Sequence, residues 1–223
     1  MDGRGVLYIV WGRVDRSLLD RSMASLASHH PDLPVHVAEL SPDSTLLDKA
    51  RMADVSPFAE TLFLDADTVV LGDMAFGFEK ARQFGLAVSI CECPWARRYT
   101  GLSGDTVEYN TGVVFFTGRA RPVFDAWKKA VREVDSSLVF VRGGEYKKMP
   151  LNDQAGFARA IEETQFLPFV LPYNWNFRPK WHLSWFGPIK VWHDYAAVPP
   201  PILQHNERQS RPESVVTMSA FRG

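Results

Sequence analysis

The stretch Leu62-Phe63-Leu64-Asp65-Ala66-Asp67-Thr68 places two aspartates directly after a short apolar run. In an extended chain, residues two positions apart project from the same side, so the carboxylates of Asp65 and Asp67 face one point. Two negative charges held close together repel unless a cation lies between them, and carboxylate oxygens suit Mg²⁺ or Mn²⁺. The stretch therefore predicts a strand that ends in a divalent-metal site, with a solvated turn as the plainer alternative.

Strand-like and helix-like patterns alternate on both sides of this stretch. Strands are predicted at Val6 to Trp11, Pro34 to Leu40, Thr61 to Leu64, Leu86 to Ile90, Val113 to Phe116 and Ile189 to Trp192. Helices are predicted around Leu18 to Leu26, at Leu46 to Val55, Phe76 to Phe84 and Pro122 to Val134, and from a cap at Asn152 to Glu163. The alternation predicts an α/β fold with a central, mostly parallel mixed sheet flanked by helices.

Composition and charge fit one domain with an ordinary core. The 223 residues are 46% hydrophobic, which leaves no room for wholesale disorder, and the net charge of −1 gives no general attraction to nucleic acid or membranes. No apolar run approaches the roughly 20 residues of a membrane helix and the N-terminus has no signal-like core, so we expect a cytoplasmic protein without a transmembrane segment. Cys91 and Cys93 are too close for an easy disulfide and are expected to be reduced thiols.

Other functions fit parts of the pattern. An apolar strand followed by Asp-Ala-Asp-Thr also fits the haloacid-dehalogenase-like phosphatases, in which one aspartate is phosphorylated and the other is an acid/base. Against this, two β-α units precede the pair and no later apolar strand ends in paired aspartates. A non-catalytic module that binds sugar nucleotides or glycans is a third alternative, which the intact acidic pair disfavours. The glycine-rich phosphate-binding motifs of kinases and dehydrogenases are absent from the sequence.

Four blocks, in sequence order, resemble the nucleotide-diphospho-sugar transferases of the GT-A fold, especially glycosyltransferase family eight, which includes glycogenin and bacterial galactosyltransferases. They are Tyr8-Ile9-Val10-Trp11-Gly12, Lys49-Ala50-Arg51 with Phe63-Leu64-Asp65-Ala66-Asp67-Thr68, Tyr109-Asn110-Thr111-Gly112-Val113-Val114, and Asn152-Asp153-Gln154. The resemblance covers about residues 6 to 193. It implies a single hexosyltransferase-like domain over 1–223, with a nucleotide-binding half to about residue 110 and an aromatic-rich sugar and acceptor half after it.

The resemblance also implies roles for individual residues. Donor contacts would come from Trp11, Gly12, Lys49, Arg51, Asp65 and Asn110, and catalysis would involve Asp67, Asp153 and Gln154. The donor would be a nucleotide sugar, in particular a UDP-sugar, used with Mn²⁺ or Mg²⁺ and with retention of configuration. The acceptor would be a glycan, a lipid or a small molecule. The plainer alternatives are a surface ion pair for Arg51, a turn for Asn110, a helix-start charge for Asp153 and a core position for Trp11.

The third metal ligand is expected near the end of the chain, where His193 and His205 are the candidates. His193 is preferred because it follows the β-rich run Ile189 to Trp192, whereas His205 lies in a polar stretch that predicts a mobile surface. Family eight usually ends with His-x-x-Gly-x-x-Lys-Pro-Trp; this chain has a counterpart of the histidine and none of the lysine. The aromatic stretch from Tyr173 to Phe186 is expected to shape the acceptor site or to form a second small core.

Overall fold

The computed structural model describes residues 3–13, 15–91, 102–149, 151–211 and 217–221. Its strands are β1 (Arg4–Val10), β2 (Val35–Glu39), β3 (Glu60–Leu64), β4 (Thr68–Val70), β5 (Leu86–Ile90), β6 (Tyr109–Thr117), β7 (Leu138–Arg142), β8 (Glu145–Met149), β9 (Phe169–Leu171), β10 (Ser184–Phe186), β11 (Val191–His193) and β12 (Met218–Ala220). Its helices are α1 (Arg16–His29), α2 (Met52–Val55), α3 (Ala75–Phe84), α4 (Arg121–Glu133), α5 (Gln154–Glu163) and α6 (Pro200–Gln209). No helix in these ranges is both long and apolar enough to cross a bilayer.

A six-stranded sheet in the order β2-β1-β3-β6-β5-β9 forms the centre of the molecule. β6 runs antiparallel to its neighbours β3 and β5, and the other neighbouring pairs are parallel. The prediction of a single α/β domain with a mostly parallel mixed sheet is therefore confirmed. The parallel β1 and β3 end at the same edge of this sheet, which is the edge that carries Asp65 and Asp67.

Apolar cores cover both faces of the sheet. One core includes Leu7, Phe63 and Trp127 on the side of α4 and α5, and the other includes Tyr8, Leu26 and Phe78 on the side of α1 and α3. Strands buried on both faces are apolar throughout instead of alternating, which is why β1 and β3 appear in the sequence as short continuous apolar runs.

A third cluster accounts for much of the aromatic C-terminal region. It contains Val69, Phe177, Trp185, Ile189, Trp192 and Ile202, and it packs around the antiparallel pair β4 and β11. Trp185 is 3% exposed, so the small-core alternative is correct for this side chain, whereas Trp181 (43%) and Phe186 (57%) are exposed. The aromatic stretch thus divides between core and surface.

Several elements differ from the sequence prediction. The expected helix from Leu46 begins as a 3-10 turn over Leu46–Arg51 and becomes α-helical only in α2. The hairpin of β7 and β8 was not expected, although the Gly143-Gly144 turn between its strands, with both φ angles positive, is typical of hairpins. The region that was expected to be a mobile tail forms α6, because prolines are tolerated in the first turn of a helix.

Candidate active site

Asp65 and Asp67 lie in the turn that joins β3 to β4, at the carboxyl edge of the sheet. The backbone N–H of Asp65 donates to Gly112 O on the neighbouring β6 (2.9 Å). The hydroxyl of Thr68, the first residue of β4, donates to Asp65 O (2.7 Å). The backbone around the carboxylates is therefore fixed from both sides.

His193 joins the aspartates because β11 pairs antiparallel with β4, which sets His193 opposite Thr68. Its Nε2 lies 3.2 Å from Asp67 Oδ1 and 3.8 Å from Asp65 Oδ2. One ligand atom from each of Asp65, Asp67 and His193 lies within 4.8 Å of the other two. The structure thus places His193 where the sequence analysis expected a third ligand.

The second ring nitrogen of His193 is held by Asn176. Nδ1 lies 2.7 Å from Asn176 Oδ1, and both residues are buried. Since an amide oxygen can only accept, Nδ1 donates in this contact, and Nε2 is the ring nitrogen that faces the carboxylates. Burial acts to raise the pKa of Asp67, but the hydrogen bond and charge of the His193 imidazole hold this pKa at about 2.

A buried lysine balances part of the negative charge. Lys49 Nζ lies 2.9 Å from Asp65 Oδ1 and 3.7 Å from Asp153 Oδ2, and its side chain is 3% exposed. Burial alone would lower the pKa of Lys49, but the charges of Asp153 and Asp65 raise it, so the amine stays protonated. The carboxylates of Asp65, Asp67 and Asp153 surround this single ammonium, and burial raises the pKa of Asp153 although the charge of Lys49 acts to lower it.

Gly112 allows the close approach of the two sides of the site. A Cβ at this position would lie 2.2 Å from His193 Cε1 and 2.9 Å from Asp65 Oδ2. The N–H of Gly112 donates to Asn110 Oδ1 (2.9 Å), and Asn110 is 2% exposed. Asn110 therefore shapes the backbone of β6 beneath the site. This role is close to that of a turn residue, which the sequence analysis gave as the alternative to a donor contact.

The start of α5 brings Asp153 and Gln154 to the same edge. Asn152 Oδ1 accepts from Gln154 N (3.1 Å), but the N-cap position is Asp153, one residue after the predicted cap. Asp153 is 2% exposed, accepts from the Thr111 hydroxyl (2.5 Å) and lies behind Lys49. Gln154 is partly buried and donates from Nε2 to Sγ of the buried Cys91 (3.6 Å). Cys93 lies outside the described residues.

Arg21 of α1 fixes the segment that follows His193. Its guanidinium donates to the carbonyls of Asp194 (2.8 Å), Tyr195 (2.9 Å) and Ala196 (3.2 Å). The N–H of Asp194 also donates to Asp67 O (3.1 Å). The charge of Asp67, then partial burial and the charge of Asp65, raise the pKa of the exposed Tyr195 phenol.

The remaining expected residues are Trp11, Gly12 and Arg51. Trp11 follows β1 and packs partly buried against the core on the α4 side, and Gly12 adopts a φ of 60° beside it. Arg51 is exposed and lines a cavity of about 220 Å³ between the 3-10 turn, α2 and α4. Asp65 and Asp67 are not among the residues that line this cavity.

The expectation that His205 lies on a mobile surface was wrong. His205 is 1% exposed on α6, with Nε2 2.7 Å from Gly187 O and Nδ1 2.8 Å from Ser219 Oγ. Both ring nitrogens are occupied by these contacts, because α6 turns the imidazole inward against Trp185. His205 is a structural residue away from the acidic cluster.

Sequence reasoning missed Asn176, Thr111 and Arg21. Asn176 could have been detected, because it is a polar residue inside the aromatic stretch Tyr173-Asn174-Trp175-Asn176-Phe177. Thr111 lies within a block that was already singled out. Arg21 lies in an ordinary helical pattern, and nothing local marks its contacts with residues 194–196.

Comparison with known proteins shows a likeness of fold. Neither a protein-family model nor a curated protein matches the sequence. The structure of mouse xyloside xylosyltransferase 1 matches with a TM-score of 0.58 at 14% identity, covering 89% of this chain and 100% of that one. The galactosyltransferase LgtC, in complex with donor and acceptor sugar analogs, matches with a TM-score of 0.55 at 12% identity, covering 96% and 98%. Apo GlyE of Streptococcus pneumoniae TIGR4 matches with a TM-score of 0.54 at 12% identity, and 57% of its chain is covered.

These neighbours show the class of the fold: the chain has the GT-A fold. The match to LgtC confirms, at the level of fold, the expected likeness to a galactosyltransferase.

Proposed function

We propose that the protein is a divalent-metal-dependent glycosyltransferase that moves a sugar from a UDP-sugar to an acceptor hydroxyl. The observation that carries this proposal is the convergence of Asp65, Asp67 and His193, with ligand atoms within 4.8 Å, at the carboxyl edge of a GT-A sheet. Ligands of open α/β sheets bind at this edge. The names of the structural neighbours, a xylosyltransferase and a galactosyltransferase, support sugar transfer.

The residues present fit a divalent ion. Two carboxylates and an imidazole whose Nε2 faces them are suitable ligands for Mn²⁺, and Mg²⁺ is the alternative. The carboxylates near Lys49 outnumber its single ammonium, and a divalent ion would balance the remaining negative charge. When bound, the ion would supply a Lewis acid that stabilises the charge of the departing nucleotide diphosphate.

The chain's own residues would hold the reactants in place. Trp11 and Gly12, at the end of β1 on the same sheet edge, are proposed to border the nucleoside. Asp153 is committed to Thr111 and Lys49, so we assign it a positioning role and assign the sugar contact to the more accessible Gln154. Arg51 is left out of the proposed donor site because its cavity does not include the acidic pair.

The phosphatase alternative is less well supported. It requires a second acidic pair for Mg²⁺, whereas the third member of this cluster is a histidine. Within the described ranges, no other group of three histidine, cysteine or acidic residues is close enough to hold a metal. An aspartyl phosphatase would hydrolyse phosphate monoesters in a manner dependent on Asp65, which offers a direct discrimination.

The proposal is tested by ligand-dependent stability and by turnover. UDP should raise the melting temperature with Mn²⁺ and not with EDTA, because a ligand that binds only the folded state stabilises it by mass action. Asp67→Asn should abolish UDP release from UDP-sugars, while the exposed Asp43→Asn control should not. NMR of the product should show a retained anomeric configuration. Equal stabilisation by UDP in EDTA, or full turnover by Asp67→Asn, would contradict the proposal.

A further inference from the structure

A series of buried hydroxyl groups runs from β1 through α1 to the turn that carries Asp65. The Tyr8 hydroxyl lies 2.9 Å from Ser22 Oγ, and Ser22 Oγ lies 2.9 Å from Thr68 Oγ1. The Thr68 hydroxyl in turn donates to Asp65 O (2.7 Å). Tyr8, Ser22 and Thr68, which we call the hydroxyl series, are each 0% exposed, so water does not compete for these contacts.

The hydrogen bonds of the hydroxyl series run in one direction. A carbonyl oxygen can only accept, so the single hydrogen of the Thr68 hydroxyl is committed to Asp65 O. Thr68 Oγ1 therefore accepts from Ser22, and Ser22 Oγ accepts from Tyr8. Burial raises the pKa of the Tyr8 phenol, which keeps its hydrogen available to donate. The series thus ends on the backbone of a residue of the acidic cluster.

Helix α1 holds both of the segments that form the acidic cluster. On the aspartate side, Ser22 of α1 contacts Thr68 of β4. On the histidine side, the neighbouring Arg21 donates to the carbonyls of residues 194–196, which follow His193 directly. Two consecutive residues of one helix therefore set the β3–β4 turn and the end of β11 relative to each other.

The β3–β4 turn needs this support because it carries two like charges. The carboxylates of Asp65 and Asp67 repel each other when no cation lies between them. The N–H of Asp65 is held by Gly112 O and its carbonyl by the Thr68 hydroxyl, so the backbone cannot turn the side chain away. A carboxylate that is already in place loses less conformational freedom when an ion binds, and binding is stronger for this reason.

We propose that Tyr8, Ser22 and Thr68 are positioning residues that hold Asp65 for the divalent ion. This inference rests on the proposed function, and it concerns the binding of the ion and not the transfer of the sugar. The three hydroxyls act through the backbone of Asp65 and are not ligands themselves. Their effect decreases with distance from Asp65, from Thr68 through Ser22 to Tyr8.

The test is a Mn²⁺ titration followed by electron paramagnetic resonance with excess UDP present, combined with urea denaturation. Thr68→Val keeps the shape of the side chain but removes the donor to Asp65 O, so it should weaken Mn²⁺ binding by about tenfold, as the loss of an outer partner of a metal ligand does. Thr68→Ser retains the hydroxyl and should restore most of the affinity. Ser22→Ala should have a smaller effect and Tyr8→Phe the smallest.

Thr61→Val is the matched control at the start of β3. Thr61 is as buried as Thr68, its hydroxyl lies 2.6 Å from that of Ser56, and it donates to the carbonyl three residues earlier, Phe58 O (3.4 Å). Both valine substitutions remove a buried hydroxyl and should lower the urea midpoint alike, whereas only Thr68→Val should weaken Mn²⁺ binding. Should Thr68→Val fail to fold, Ser22→Ala against Ser56→Ala makes the same comparison.

The outcomes separate this inference from the proposed function. If the wild-type protein does not bind Mn²⁺ with UDP present, both are overturned. If the wild-type protein binds Mn²⁺ and Thr68→Val binds it as tightly as Thr61→Val does, the positioning role is overturned and the glycosyltransferase proposal stands. An equal loss of Mn²⁺ affinity in the two valine variants, or no recovery in Thr68→Ser, also overturns the positioning role alone.

Discussion

Asn176 and His193 are joined by a 2.7 Å contact between Oδ1 and Nδ1 that lies wholly inside the protein. The amide oxygen of Asn176 orients the imidazole through this contact, whereas within the described residues its amide nitrogen has no hydrogen-bond partner. Partners of this kind fix the tautomer and direction of a metal-binding histidine.

We expect Asn176→Ala to weaken Mn²⁺ binding by about tenfold or more, because the ring of His193 loses the acceptor that fixes it. Asn176→Asp keeps an acceptor oxygen in the same place and should recover most of the affinity. Titration of Mn²⁺ followed by electron paramagnetic resonance measures both. Wild-type affinity in Asn176→Ala would show that the contact does not matter for the metal.

Gly112 gives a second prediction. Gly112→Ala would drive a methyl group into His193 and Asp65, so it should lower both the Mn²⁺ affinity and the free energy of unfolding, the latter by about 1–3 kcal/mol. Gly118→Ala is the control, because a Cβ there meets nothing within 4 Å. Urea denaturation and Mn²⁺ titration of both variants test the prediction, which fails if the two behave alike.

The contributions of Lys49 and Asp153 to the free energy of unfolding should be coupled. Lys49→Met leaves buried carboxylates without their cation and should lower the free energy of unfolding by about 3 kcal/mol. Adding Asp153→Asn removes one of the uncompensated charges, so the double variant should be more stable than the sum of the single changes predicts. Denaturant unfolding of the four proteins measures this coupling, and simple additivity would refute it.

Replacing His193 and replacing His205 should have opposite effects on metal affinity and on stability. His193→Ala should reduce Mn²⁺ affinity with little loss of stability, since its Nε2 faces the acidic pair. His205→Ala should leave Mn²⁺ affinity intact and lower the free energy of unfolding by about 1–3 kcal/mol, because Gly187 O loses its buried partner. Thermal unfolding and Mn²⁺ titration of each variant decide the matter, and a loss of metal affinity confined to His205→Ala would reverse the assignment.

Local sequence patterns were sufficient for the acidic pair and for five of the six strands of the central sheet, whereas β9 was not predicted. The run Leu62-Phe63-Leu64 predicts a buried strand, and the aspartates after it must share an edge because the strand ends there. His193 could be anticipated as well, since it closes a β-rich run. These are features that a few neighbouring residues determine.

The surroundings of Lys49, β4 and His205 depend on contacts between distant parts of the chain. The burial of Lys49 beneath Asp65 follows from the packing of the 3-10 turn against the sheet, and β4 is too short to be detected until its pairing with β11 is known. The inward orientation of His205 likewise follows from how α6 packs. Nothing in the residues adjacent to Lys49 or His205 specifies these partners.

The pairing of β4 with β11 has a consequence for how the protein is made. Asp65 and Asp67, in the turn between β3 and β4, leave the ribosome long before His193. Arg21 in α1 likewise emerges long before residues 194–196, to whose carbonyls it donates. A nascent chain can therefore assemble most of its sheet while the cluster of Asp65, Asp67 and His193 is still incomplete. The cluster is completed late in synthesis, when the C-terminal segment docks onto the N-terminal helix.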